Sequence, residues 1–364
     1  MASVPAPAAT GGQGELHSIQ AARGIAAMLV AAFHLSITIG TDRFAGVPVF
    51  ASVTWWGYRG VDFFFVLSGF IILLAHRRDI GRPDRLGRYA WKRASRIYPA
   101  YWLYTAVVLA ISAAGSGTLL ASIATGGDFL STLTLVRFGD VDPAIGVAWT
   151  LFHEIVFYTA FAALIINRRL GIALFAIWGV TILWSALEPT PHSLAGTLIG
   201  SYNMNFFFGL AAYGAFRRLS ASAGLAALAA SPVLLGVMIA LEAGGVGGML
   251  LHAGYAAAFA LAIFGAARAE ANGLRMSFPG LSLVGDASYS IYLTHVTMQT
   301  YLALIAAKLG LFTMLPGWAA YIGILVAGTL VGIMAYLLVE KPLLRLLRPR
   351  PAKIPHTVGR AALS

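Results

Sequence analysis

The sequence contains no cysteine, and charged residues make up only 11% of its 364 residues. The lack of cysteine excludes disulfides, thiol catalysis and metal sites built on cysteine. A soluble domain of this length carries far more charge to cover its surface, so the composition argues against a soluble enzyme. Hydrophobic residues make up 59% of the chain, and the mean hydropathy is +0.79. We therefore expect a membrane protein whose spans are runs of about 20 apolar residues.

The sequence also lacks a glycine-rich phosphate loop of the Walker type, so nothing in it indicates a nucleotide hydrolase. Its net charge is +11. In a membrane protein such an excess usually records topology, and we expect no nucleic-acid partner. No pattern of metal ligands stands out either, so the sequence predicts neither a metal nor a metal-dependent reaction.

Ten apolar runs predict an all-α, polytopic bundle of about ten transmembrane helices. The split between the seventh and eighth runs, at Glu242–Gly248, is the least distinct boundary. The runs cover residues 17–40, 58–76, 99–116, 148–167, 170–187, 198–216, 223–242, 248–266, 281–307 and 318–339.

Basic residues fall in alternate loops between these runs, which is the pattern of cytoplasmic loops. Those loops contain Arg77, Arg78, Arg82, Arg85, Arg88, Lys92, Arg93 and Arg96, then Arg168 and Arg169, Arg217 and Arg218, Arg268 and Arg275, and Lys341, Arg345, Arg348, Arg350, Lys353 and Arg360. The opposite loops contain the acids Asp42, Asp128, Asp140, Asp142, Glu188 and Glu242, with only four basic residues. The alternation predicts that both termini are cytoplasmic and that the number of crossings is even.

The predicted organisation is one membrane domain with a tail at each end. Residues 1–15 are rich in proline and glycine and lack arginine and lysine, which predicts a disordered tail and no signal peptide. Residues 16–342 form the membrane domain, and residues 343–364 form a basic cytoplasmic tail.

Arg23 and His34 are the most informative polar residues within the predicted spans, because ionisable groups in a bilayer are costly and often functional. They are eleven residues apart, close to three helical turns, so both lie on one face about 16 Å apart along the axis. With a cytoplasmic N-terminus, Arg23 lies in the inner half and His34 towards the outer side. The alternative is that Arg23 extends to the inner surface and His34 only bonds a neighbouring helix.

Further polar groups lie in three other spans. Asp62 enters the outer end of the second span, where it could orient His34, although an exposed acid at a helix end is equally compatible. Glu154 and Tyr158 share a face one turn apart and suit a sugar-binding or histidine-supporting role. On the ninth span, Ser288, Tyr292 and His295 form one polar stripe that we expect to line a cavity. His153 and His252 are expected to be structural.

The segment Arg77–Trp102, RRDIGRPDRLGRYAWKRASRIYPAYW, contains eight basic residues and two acids. Arg93 and Arg96 are three residues apart, so on a helix they project to the same side. Paired guanidinium groups suit a phosphorylated ligand, because each can bind phosphate oxygens in a bidentate fork. Anionic lipid headgroups are the alternative ligand. Pro99 is expected to break the run as the third span begins.

Together these motifs resemble the acyltransferase-3 family of membrane O-acyltransferases. The resemblance covers residues 16 to about 342 and is closest to its exopolysaccharide-production acetyltransferases. It is carried by the Arg23 and His34 pair, VDFFFVLSGF from Val61, the RxxR of Arg93 and Arg96 before IYPAYW, WTLFHEIVFY around Glu154, SYSIYLTH ending at His295, and the Glu340-Lys341-Pro342 terminus.

The resemblance implies transfer of an acyl group, expected to be acetyl, from acyl-CoA to a hydroxyl of a cell-surface or exported carbohydrate. His34 matches the family's essential histidine and Arg23 its partner arginine, while Arg93 and Arg96 match the arginines that contact CoA phosphates. The implied location is the inner (cytoplasmic) membrane, with polysaccharide biosynthesis or export proteins as possible partners.

Combining both arguments, His34 would act as general base or covalent nucleophile, and Arg23 would line the approach of the donor. Glu154, Asp62 and His295 would orient the base or the sugar, and Tyr292, Tyr158 and Trp149 complete the expected substrate-binding set. The main alternative function is a glycan or small-molecule transporter that uses these groups as a substrate path. Transporters often show internal symmetry and interrupted helices, which this sequence lacks. A passive scaffold for polysaccharide export would leave the polar pair of the first span unexplained.

Overall fold

The computed structural model describes residues 16–44, 46–114, 123, 125–139, 142–185, 193–274 and 278–347. Within these ranges the chain is helical and contains no β-strand, which confirms the predicted all-α bundle. The helices are α1 (His17–Ile39), α2 (Gly60–His76), α3 (Leu86–Ala114), α4 (Gly126–Thr134), α5 (Trp149–Ile166), α6 (Arg168–Ser185), α7 (Leu194–Ile199), α8 (Met204–Arg218), α9 (Ala221–Ala243), α10 (Met249–Ala271), α11 (Pro279–Asp286), α12 (Ser288–Lys308), α13 (Gly317–Ala335) and α14 (Lys341–Leu347).

Short helical segments connect several of these helices. One of them, Tyr336–Glu340, is a π-helical turn that joins α13 to α14. The others are Ala51–Thr54, Trp55–Arg59, Arg77–Asp79, Pro83–Arg85, Gly146–Ala148, Ser201–Asn203 and Leu311–Met314. The predicted domain boundary at residue 342 falls within α14. The predicted tail 1–15 and the residues Asp140, Glu188, Arg275, Arg348, Arg350, Lys353 and Arg360 lie outside the described residues.

Eight helical stretches of the described chain are long and apolar enough to cross a membrane. The other two predicted spans correspond to α8 and α12. Helix α8 has 15 residues, and the 21-residue α12 carries the polar stripe that lowers its hydropathy. The predicted split after the seventh run is confirmed, because α9 ends at Ala243 and α10 begins at Met249.

The prediction that Pro99 breaks the chain is wrong, because Pro99 lies inside the 29-residue helix α3. Proline removes one hydrogen bond from a helix, and neighbouring helices can compensate for it in a membrane protein. Here the side chains of Tyr98, Tyr101 and Trp102 donate hydrogen bonds to the carbonyls of residues 134, 132 and 133. Those carbonyls end α4 and lack partners within that helix. The aromatic residues around Pro99 therefore fasten α3 to α4.

Glycine residues let α2 and α8 cross with their backbones in contact. A side chain at Gly69 would overlap the carbonyl oxygen of Phe206, and one at Gly209 would overlap that of Val66. Such close approach is characteristic of helix pairs with small residues at the crossing. The prediction that Gly69 permits close packing is confirmed.

Helices α1 and α12 run side by side in the same direction. Arg23 Nη2 donates to Ser288 Oγ at 2.8 Å near the start of both helices, and Gln299 Nε2 donates to the Ala31 carbonyl at 3.0 Å further along. The parallel direction fits the predicted topology, in which the first and ninth spans cross the membrane in the same sense. It also aligns the polar face of α1 with the polar stripe of α12.

Candidate active site

A cavity of about 600 Å³ lies between α1, α2, α3, α5 and α12. Its lining on α2 extends from Val61 to Leu74, so it is about 20 Å long at 1.5 Å per residue. Leu16, Leu74 and Arg93 line one end, beside the arginine-rich segment. Thr150, Phe64 and Tyr292 line the other end, which we call the deep end. The cavity thus leads from the arginine-rich surface into the bundle.

Five ionisable candidates from the sequence line this cavity together. They are Arg23, Arg93, Arg96, Glu154 and Tyr158. Three guanidinium groups face two carboxylates here, because the buried Glu340 is bonded to Arg96. The excess of positive charge suits an anionic ligand.

His34 and His295 form a pair directly behind the deep end of the cavity. Their ring centroids are 5.0 Å apart, and His34 Nδ1 lies 3.2 Å from His295 Nε2. The ring of His295 in turn lies 5.8 Å from that of Tyr292, which lines the cavity. The predicted common face of Arg23 and His34 is confirmed, since both side chains contact α12.

The hydrogen bonds of this pair determine where the protons lie. His295 Nδ1 is 2.7 Å from the carbonyl of Tyr292, so it donates, and in the neutral ring Nε2 is left as an acceptor. His34 Nδ1 is 2.9 Å from the carbonyl of Val30 and shares its hydrogen between that oxygen and His295 Nε2. His34 Nε2 therefore carries the free lone pair. Among the described residues, no hydrogen bond reaches it.

Glu154 is held by two hydroxyl groups within the cavity. Tyr158, one turn further along α5, donates to Glu154 Oε1, and Ser68 Oγ on α2 donates to the same oxygen at 3.2 Å. The predicted pairing of Glu154 and Tyr158 on one face is confirmed. This carboxylate joins α2 to α5, and it does not contact His34.

Asp62 does not orient His34, contrary to the expectation from the sequence. Its carboxylate accepts from Asn205 Nδ2 at 2.6 Å and from Arg59 Nη1 at 3.4 Å. Arg59 is almost fully buried and also pairs with Glu242. His252, which had no predicted partner, lies 3.3 Å from Arg59. The second span thus directs Asp62 into a separate charged network beside α9 and α10.

Trp149 packs against two rings and does not line the cavity. Its ring centroid is 5.0 Å from that of Tyr202 and 5.7 Å from that of His153. Tyr292, in contrast, lies at the deep end, where its hydroxyl is 3.1 Å from Thr150 Oγ1 and donates to the Val147 carbonyl at 3.0 Å. Of the predicted carbohydrate contacts, Tyr158 and Tyr292 therefore lie in the cavity, His295 lies behind it, and Trp149 lies apart.

Two residues that the sequence did not mark as functional fix the arginines of α3. His76 Nε2 lies 2.9 Å from Arg93 Nη2, and Glu340 Oε1 lies 2.6 Å from Arg96 Nη1. His76 ends α2 three residues before Asp79, which is a recognisable spacing for a histidine–carboxylate pair. Within a dense basic loop, that signal is easily taken for topology alone.

Comparison with known proteins agrees with this arrangement. Residues 16–337 match the acyltransferase domain of the acyltransferase-3 family. The chain belongs to this family and is a multi-pass membrane acyltransferase of the non-aminoacyl class.

Among curated proteins, the chain is similar to the exopolysaccharide production protein ExoZ of Rhizobium meliloti (strain 1021). The two are 33% identical over 329 residues, which cover 84% of this chain and 95% of that protein. No solved structure matches the chain.

Proposed function

We propose that this acyltransferase uses acyl-CoA, with acetyl as the expected acyl group, to O-acylate a cell-surface or exported carbohydrate. The name of the similar protein, an exopolysaccharide production protein, supports a carbohydrate acceptor. The arginine-lined cavity supports an anionic donor. Because acyl-CoA is made in the cytoplasm and the basic loops predict the cytoplasmic side, we assign the protein to the inner membrane.

The donor enters the cavity from its arginine-lined end. Its phosphates bind the guanidinium groups there, and its thin pantetheine arm follows the 20 Å of cavity past Arg23. This places the thioester near the deep end, at Phe64 and Tyr292. The acceptor sugar reaches the same region from the opposite side of the membrane.

The single observation that carries the proposal is the position of His34 behind that deep end, with Nε2 unprotonated. In the proposed step, Nε2 takes the proton of a sugar hydroxyl as its oxygen attacks the thioester carbonyl. The carbon–sulfur bond breaks, and the CoA thiolate takes the proton from His34. His295 holds His34 in the reactive tautomer, and Tyr292 and Tyr158 are the proposed sugar contacts. The alternative in which His34 itself carries the acyl group uses the same nitrogen.

The test uses purified protein in lipid nanodiscs with acetyl-CoA and an acceptor glycan. Release of CoA and the mass of the glycan report transfer. His34→Ala should lower turnover by about 100-fold or more, the usual contribution of a general base. His17→Ala provides a matched control, because His17 lies on the same helix with an exposed side chain. A folded His34→Ala protein with wild-type turnover would reject the mechanism, and acyl-labelled His34 would favour the covalent route.

A further inference from the structure

Arg93 and Arg96 lie on one face of α3, yet their partners differ in charge. Arg96 Nη1 donates to Glu340 Oε1 at 2.6 Å, and the carboxylate of Glu340 is almost fully buried. The second carboxylate oxygen accepts from Ser290 Oγ at 2.6 Å. The charge of Arg96 is therefore compensated by a full negative charge before any ligand arrives.

Arg93 is held by a different kind of acceptor. Arg93 Nη2 lies 2.9 Å from His76 Nε2, and His76 Nδ1 lies 2.8 Å from Asp79 Oδ2. A guanidinium can only donate, so His76 Nε2 must carry a lone pair, and the carboxylate requires a proton on Nδ1. His76 is thus neutral in this arrangement. It orients Arg93 without compensating its charge.

The surroundings of Arg93 leave that charge available. Among the described residues, no carboxylate lies within 4.0 Å of its guanidinium. Its Nε is buried without a hydrogen-bond partner in the same part of the chain, and its Cζ lies 5.4 Å from the centroid of the Tyr158 ring. Because Arg93 also lines the cavity, an anion that enters there meets an oriented and uncompensated cation.

We propose that the two arginines have different roles. Arg93, oriented by the neutral His76 and by Asp79, binds a phosphate of the donor, whereas Arg96 is committed to Glu340 and holds α3 against the turn that precedes α14. His76 and Asp79 are positioning residues for donor binding. This inference rests on the proposed acyl-CoA donor and divides the work of a pair that the sequence treats as equivalent.

The experiment measures binding of CoA to purified protein in nanodiscs, without an acceptor. Arg93→Gln should weaken binding at least tenfold, because a charge-assisted hydrogen bond is lost. The double variant Arg96→Gln with Glu340→Gln removes both charges of the buried pair together. It should stay within threefold of the wild-type dissociation constant.

His76 is tested by a pair of variants. His76→Leu removes the acceptor and frees the Arg93 side chain, which must then be ordered on binding, so we expect about threefold to tenfold weaker binding. His76→Gln offers a carbonyl oxygen in place of Nε2 and should recover most of that loss. Thermal unfolding of each variant checks that the bundle is intact. Recovery by glutamine distinguishes positioning from a general loss of packing.

The outcomes separate this inference from the proposed function. Wild-type protein that does not bind CoA would overturn both the acyl-CoA donor and the assignment of Arg93. If the wild type binds CoA but the double variant loses as much affinity as Arg93→Gln, the donor stands and the division of roles is wrong. Wild-type affinity in His76→Leu would likewise overturn the positioning role.

Discussion

Replacing His295 with leucine tests how the histidine pair works. The hydrogen bond at 3.2 Å between His34 Nδ1 and His295 Nε2 is lost, while the Val30 carbonyl still holds the same proton. One neutral hydrogen bond contributes about 0.5–1.5 kcal/mol, so kcat should fall about twofold to tenfold. The KM for acetyl-CoA should not change, because His295 lies behind the cavity and does not line it.

The assay compares kcat and KM for four proteins in nanodiscs. His295→Gln can return an acceptor to His34 and should recover part of kcat. The double variant His34→Ala with His295→Leu should be no slower than His34→Ala alone, because residues that act through one group are not additive. Independent, multiplying losses in the double variant would refute the positioning role. A loss in His295→Leu as large as that in His34→Ala would mean that His295 itself reacts.

Three further predictions concern other parts of the bundle. Gly69→Val should lower the free energy of unfolding by more than about 1–3 kcal/mol, because a side chain there meets backbone, whereas Gly87→Val meets open space and should cost less in the same unfolding assay. Glu242→Ala leaves Arg59 buried and unpaired, so it should destabilise the protein by about 3–5 kcal/mol, and a change below 1 kcal/mol would contradict that view. Glu154→Gln keeps an oxygen for its two hydroxyl donors and should retain more acyl transfer than Glu154→Leu; equal rates would show that those bonds do not matter.

Local periodicity was sufficient to predict the polar faces that build the site. The eleven-residue spacing places Arg23 and His34 on one face of α1, and the stripe from Ser288 to His295 supplies their partners on α12. These predictions succeeded because helical geometry fixes which residues share a face. The number and position of the membrane helices followed from apolar runs and charge for the same reason.

Contacts between distant segments could not be predicted in this way. Asp62 and His34 lie on consecutive membrane-spanning helices, yet Asp62 bonds to Asn205 on α8, because the Gly69 crossing brings α2 and α8 together. The partner of Arg96 is 244 residues away in the chain. No local pattern states which helices become neighbours, so the choice among possible partners needs the three-dimensional structure.

The π-helical turn Tyr336–Glu340 has a consequence for insertions and deletions in this protein. Such a turn accommodates one residue more than an α-helical turn. Deleting a single residue there would convert it to regular α-helix and rotate everything that follows by about 100° about the axis. The acid that meets Arg96 would then point away from it, although every side chain needed for the bond would still be encoded. The reading frame of a helix, and not only its composition, thus decides whether α3 is held in place.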